Sequence, residues 1–220
     1  MPEKMPRSPL TLVALVWQFG LILFTLSMDL LTQEEVRRIF KEGHSIEVMT
    51  AVLFLAGAVL WFAWGLARVW PRHWHIPVIL VLMGLRELDF DKRFTSQGLL
   101  KLRLYTGPAP PWEKAVGAAV VLVILVCGLR LAWMNLPGWW RALRGGRAVA
   151  WLAGAAGLLI VVSKTLDGLG RKLAPWGVVL TRWEGILSTR LEEMMEVGAA
   201  VLIVQAIAVE AGRIRAAARS

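Results

Sequence analysis

Apolar runs of 10 to 18 residues recur along the whole chain, each bounded by charge. They read LTLVALVWQFGLILFTLS, AVLFLAGAVLWFAWGLA, IPVILVLMGL, AVGAAVVLVILVCGL, AVAWLAGAAGLLIVVS and VGAAVLIVQAIAV. A hydrocarbon core about 30 Å thick takes about 20 helical residues at about 1.5 Å each. Six spans follow, over residues 10–27, 45–67, 76–94, 114–133, 148–166 and 190–212. A soluble fold would have to bury nearly all of this. With 57% hydrophobic residues in only 220, the chain is too small for such a core. The expected fold class is all-α, a polytopic transmembrane helix bundle forming one domain over residues 1–220. Twelve Trp against one Tyr, many of them flanking the apolar runs, suit the interfacial positions that aromatic residues favour.

The net charge of +9 would suggest nucleic acid in a soluble protein, but here the basic residues fall between spans. Membrane orientation explains them, and no nucleic acid partner is expected. One set of alternate connections holds Lys4, Arg7, Arg68, Arg72, Arg130, Arg141, Arg144, Arg147, Arg213, Arg215 and Arg219, against the acids Glu3 and Glu210. The positive-inside rule then puts these connections and both termini in the cytoplasm. Lys4 and Arg7 before the first run resemble a signal peptide. No small-x-small cleavage site follows in TLSMDLL, so an uncleaved first helix is expected. The single cysteine, Cys127, excludes an intramolecular disulfide and Cys-zinc or CxxC redox chemistry.

The external connections are longer. In LLTQEEVRRIFKEGH, Thr32 and Glu35 fit a capping box, and Val36, Ile39 and Phe40 oppose Arg37, Arg38 and Lys41. A short amphipathic interfacial helix is expected there. LLKLRLYTG alternates apolar and basic residues and reads as extended. In TRWEGILSTRLEE, both Thr181 with Glu184 and Thr189 with Glu192 fit capping boxes, so the last helix has two possible starts.

The third run meets charge early, at Arg86, Glu87, Asp89, Asp91, Lys92 and Arg93. Pro77 suits a first helical turn. Glu87 then lies about 15 Å along, near the middle of the hydrocarbon. A charge there costs about 2.5–3.5 kcal/mol on insertion scales, and intramembrane ionisable residues are functional candidates by default. By the same count Glu47, Lys164, Asp167, Glu192, Glu193 and Glu196 reach the external boundary. Glu192 and Glu196 share a helix face and repel unless a cation, a proton or a basic partner sits between them. Lys164–Asp167 and Asp167–Arg171 can pair along one helix.

These residues give candidate roles. Glu87, Asp89 and Glu196 are the candidate general acids or bases. Arg86, Lys92, Arg93, Lys164, Asp167 and Arg171 are the candidates for holding a substrate, the arginines suiting phosphate. Glu47, Glu87, Asp89 and Glu196, with His44 added for iron, form a candidate carboxylate metal set. AGAAG, at residues 153–157, most simply permits close helix packing. No HExxH, GxSxG, P-loop or GxGxxG is present, and no motif specifies a cofactor. Three functions fit: a protein binding or processing a lipid or lipid-linked substrate at the external leaflet, a non-catalytic assembly protein locked by interhelical salt bridges, and a small proton- or cation-coupled transporter. The apolar inner halves of the helices argue against a through-path.

The stretches RELDFDKRFTS, LLKLRLYTG, SKTLDGLGRKL and LEEMMEVG resemble a family of bacterial polytopic inner-membrane proteins with no activity attached to it. The resemblance covers about residues 44–205. It implies a bacterial inner membrane and a common site for the charged stretches. Members often carry His where Asp91 stands here, a departure that weakens a His-based metal site.

Overall fold

The computed structural model describes residues 9–32, 45–90, 92 and 95–218. Helix α1 (Pro9–Thr32) is followed by α2 (Ser45–Ala63) and the one-turn α3 (Leu66–Val69). A 3-10 turn, Pro71–His73, leads into α4 (His75–Glu87). The short α5 (Leu102–Thr106) precedes α6 (Pro111–Arg130), which continues through a π-helical turn, Leu131–Asn135, into α7 (Leu136–Arg144). Then come α8 (Ala148–Leu166), α9 (Leu169–Leu173) and the 36-residue α10 (Arg182–Ala217). The described residues contain no strand.

Each of the six expected spans overlaps a helix. Four stretches are long and apolar enough to cross a membrane: Ile46–Ala63, Pro111–Arg144, Ala148–Leu166 and Arg182–Ala217. The apolar part of α1, Pro9–Thr25, is shorter. Helix α4, at 13 residues or about 20 Å, does not cross a 30 Å core alone.

Helix α10 organises the bundle. It shares its longest interface with α8 and also packs on α2 and α1. Ala199, Ala200, Ala208 and Ala211 are buried, and such small side chains let helix backbones approach closely. Met49, Leu53, Phe54 and Trp61 of α2 meet Leu80 of α4 and Ile207 of α10 in the main core. Gly84 of α4 is buried against α2. A Cβ there would stand 2.8 Å from Leu55 Cγ and 3.2 Å from the Ala51 carbonyl oxygen. One buried polar contact ties α1 to α10. Gln205 Nε2 donates to Gln18 Oε1 at 2.5 Å, and Gln18 Nε2 donates to the Val201 carbonyl at 3.1 Å. Interhelical bonds of this kind are worth about 0.6–2 kcal/mol in a membrane.

Several expectations are corrected. The third helix stops at Glu87 instead of continuing to residue 94, because the chain turns through Asp89 at φ 49°. Aspartate is among the few residues that tolerate this left-handed conformation. LLKLRLYTG is not extended: Leu102–Thr106 is helical. Tyr105 Oη donates to the Leu99 carbonyl at 2.7 Å, and Glu113 Oε2 accepts from Ser96 N at 2.9 Å and Ser96 Oγ at 2.8 Å. These bonds fold the segment onto the start of α6. Helix α10 begins at the first of its two possible starts, where Thr181 and Glu184 form the capping box. Thr189 instead donates from mid-helix to the Gly185 carbonyl at 3.2 Å. In the AGAAG stretch, Gly154 receives the Trp139 ring of α7, while Gly157 has no neighbour where a Cβ would stand. The expected amphipathic helix after Thr32 lies outside the described residues, over residues 33–44.

Candidate functional site

The C-terminal ends of α4 and α8 converge on the first half of α10. Antiparallel packing of α8 on α10 brings Lys164 over the acidic face of α10. Its Nζ lies 3.6 Å from Glu192 Oε1 and in direct contact with Glu196 Oε1. Fully buried Ser163 donates from Oγ to the same Glu196 oxygen at 2.9 Å. The Glu87 carboxyl comes from α4 and lies beside that of Glu196, within hydrogen-bonding reach, with Arg86 and Lys164 as nearby cations. Asp167, at the C-cap of α8, approaches Glu192. The cluster is half-withdrawn from solvent: the Lys164, Glu192 and Glu196 side chains are 30%, 17% and 13% exposed. That is too buried for a screened surface pair and too open for a sealed one.

The Lys164 ammonium therefore stands between Glu192 and Glu196, with the Glu87 carboxyl beside that of Glu196. Lys164 offsets the repulsion between Glu192 and Glu196, and the surplus carboxyl can take a proton or a second cation. The backbone behind Lys164 is held by Lys172, whose Nζ donates to the Lys164 carbonyl at 2.6 Å. A lysine just beyond a helix end commonly binds its last carbonyls.

The other candidates sit elsewhere. Asp89 pairs with Lys92 at 2.6 Å, with both side chains more than half exposed, so neither joins the cluster. Such surface pairs contribute little. Arg86 is exposed beside Glu87, and exposed Arg171 folds back over Gly168. Glu47 is in the first turn of α2. Among the described residues no three of His, Cys, Asp and Glu stand where they could hold a metal, so the proposed set of Glu47, Glu87, Asp89 and Glu196 does not assemble. His44, Asp91 and Arg93 lie outside the described residues.

A second polar cluster occupies the opposite end of α4. Asn135, in the π-helical turn, bridges two histidines: its Oδ1 is 2.8 Å from His75 Nε2 and its Nδ2 is 2.9 Å from His73 Nδ1. His75 is fully buried. Arg130 donates to the Arg72 carbonyl at 2.8 Å and lies over the Trp74 ring. Burial holds His73 below the usual histidine range, and the nearby His75 and Arg130 add to this. Asn135 opposes the shift, since a rotated amide could offer its carbonyl to a protonated ring. The unfolded chain thus takes up this proton at higher pH than the folded one. The stabilising contribution of neutral His73 is present above its ordinary pKa of 6.5 and is lost as pH falls through the lower folded value. Melting curves of wild type and His73→Phe should therefore converge between pH 7.5 and 5. A gap that stays constant would refute the linkage.

Sequence reading passed over Ser163, Lys172 and Asn135. Lys172 carried a signal, a base just past an apolar helix. Asn135 and Ser163 carried none, because their partners are set by helix packing.

Four stretches long and apolar enough to cross a bilayer, in a chain whose described residues form helices and no strand, define the class: an α-helical membrane protein. No protein-family model matches the chain, and no curated protein or solved structure matches it either.

Proposed function

We propose that this is a bacterial inner-membrane protein, with both termini cytoplasmic, that binds or processes a lipid or lipid-linked substrate at the external leaflet. The observation that carries the reading is the Lys164 ammonium held between Glu192 and Glu196, with the Glu87 carboxyl brought beside Glu196 as a further acid. The surplus carboxyl suits an amine-bearing headgroup. Exposed Arg86 and Arg171, on the segments that end at the cluster, suit the phosphate of the same lipid. In a processing reaction Glu87 or Glu196 would hold or move the proton. The test is thermal stabilisation of the purified full chain by phosphatidylethanolamine against phosphatidylcholine, whose methylated amine cannot donate. Wild type should be stabilised more by the former, and Glu87→Gln should lose the difference. Equal stabilisation by both lipids would contradict the reading.

A second reading has its own support. Lys164 contacts both Glu192 and Glu196 across the α8–α10 interface, as an interhelical lock in a non-catalytic assembly protein would. A lock predicts loss of folding on its removal with no lipid selectivity to lose.

A further inference from the structure

The basic end of the molecule carries a surface that the cluster above does not use. Between Glu113 and Asp167 the sequence has no acidic residue. Arg141, Arg144 and Arg147 fall in this stretch, all three exposed, and no ion pair among the described residues involves them. Helix α7 holds them in a defined way. Its Trp139 packs inward, donating from Nε1 to the Ala150 carbonyl at 2.8 Å and lying against Gly154 of α8. Trp140 faces outward, 48% exposed, with the Arg144 guanidinium 5.0 Å above its ring. A turn through Gly146, at φ 72°, then returns Arg147 to α7, where its N–H donates to the Ala142 carbonyl at 3.0 Å.

The place of this surface follows from the helix before it. Helix α6 has 20 residues, about 30 Å, which matches the hydrocarbon thickness. The π-helical turn comes where that length is used up, and Trp133 within it is 87% exposed. Exposed Trp beside Arg held in no ion pair, at a bilayer boundary, is the arrangement that meets lipid headgroups, with rings at the interface and guanidiniums on phosphate.

We propose that α7 and the turn to Arg147 form a headgroup-binding surface selective for an anionic phospholipid leaflet. The surface stands on its own charge pattern and does not depend on the proposed outer site. Its occupant is the bilayer, because the surface is continuous with a membrane-length helix and rimmed by Trp133 and Trp140.

The full chain, reconstituted in phosphatidylcholine vesicles, tests this with brominated phosphatidylglycerol or brominated phosphatidylcholine as the quencher. The signal of Trp140 is read as wild type minus Trp140→Phe. Phosphatidylglycerol should be preferred roughly tenfold or more, since each basic side chain at an anionic surface contributes about a fivefold factor. The preference should fall with added salt. Arg141→Gln, Arg144→Gln and Arg147→Gln together should bring the ratio near one. The three Lys replacements should keep most of it, as should Arg182→Gln with Arg190→Gln at the other end. A ratio near one in wild type, or an unchanged ratio in the triple Gln variant, would overturn the proposal.

Discussion

Lys164→Met should destabilise the protein by about 3–5 kcal/mol, the usual cost of removing one partner from a buried ion pair. The lower end is expected, since the Lys164 side chain retains 30% exposure. The loss comes less from the missing bond than from what remains. Glu192 and Glu196 share a face of α10, and Glu87 approaches from α4. Without the ammonium these carboxyls repel in a partly dry setting. The double variant Lys164→Met with Glu196→Gln should recover much of the loss, because a neutral amide can still accept from Ser163 Oγ. Unfolding in detergent, followed for both singles and the double, measures this coupling. Additive losses would mean that the contact between Lys164 and Glu196 carries no energy.

Gly84→Val should be the second large effect, about 3 kcal/mol of stability together with loss of site function. The added Cβ would fall 2.8 Å from Leu55 Cγ, with the Ala51 carbonyl oxygen behind it. Overpacking a tight core typically costs about 1–3 kcal/mol, and two further methyl groups push toward the top of that range. The better helix propensity of valine returns only a few tenths of about 1 kcal/mol. The functional part follows from geometry. Glu87 lies three residues beyond Gly84 on the same helix, so forcing α4 away from α2 also withdraws Glu87 from Glu196. Val substituted at Gly157, which has open space, should be far milder. Equal stability loss at the two glycines would contradict this account.

Hydropathy was enough to place the helices where length and apolar content agree. Residues 148–166 are expected as a span and found as Ala148–Leu166. The Thr181–Glu184 capping box likewise marked the true start of α10. The third helix was harder. A helix carrying charge onward and a helix ending at its first charges look the same in sequence. The difference lies in one backbone angle at Asp89. The site was legible in part for the same reason. Local spacing showed that Glu192 and Glu196 needed a cation, a proton or a basic partner between them. It could not show that the partner is Lys164, because that depends on the register of α8 against α10. Asp89 and Lys92, close to Glu87 in sequence, were grouped with it, yet the turn after α4 directs them to solvent.

The central claim is that the glutamate–lysine cluster binds a lipid headgroup. Native mass spectrometry of the full chain, released from a mild detergent, tests it most directly. Wild type should retain an amine-bearing phospholipid, and Glu87→Gln with Glu196→Gln should retain it several-fold less at unchanged fold and oligomeric state. Equal lipid retention by the two proteins, or none by wild type, would contradict the claim.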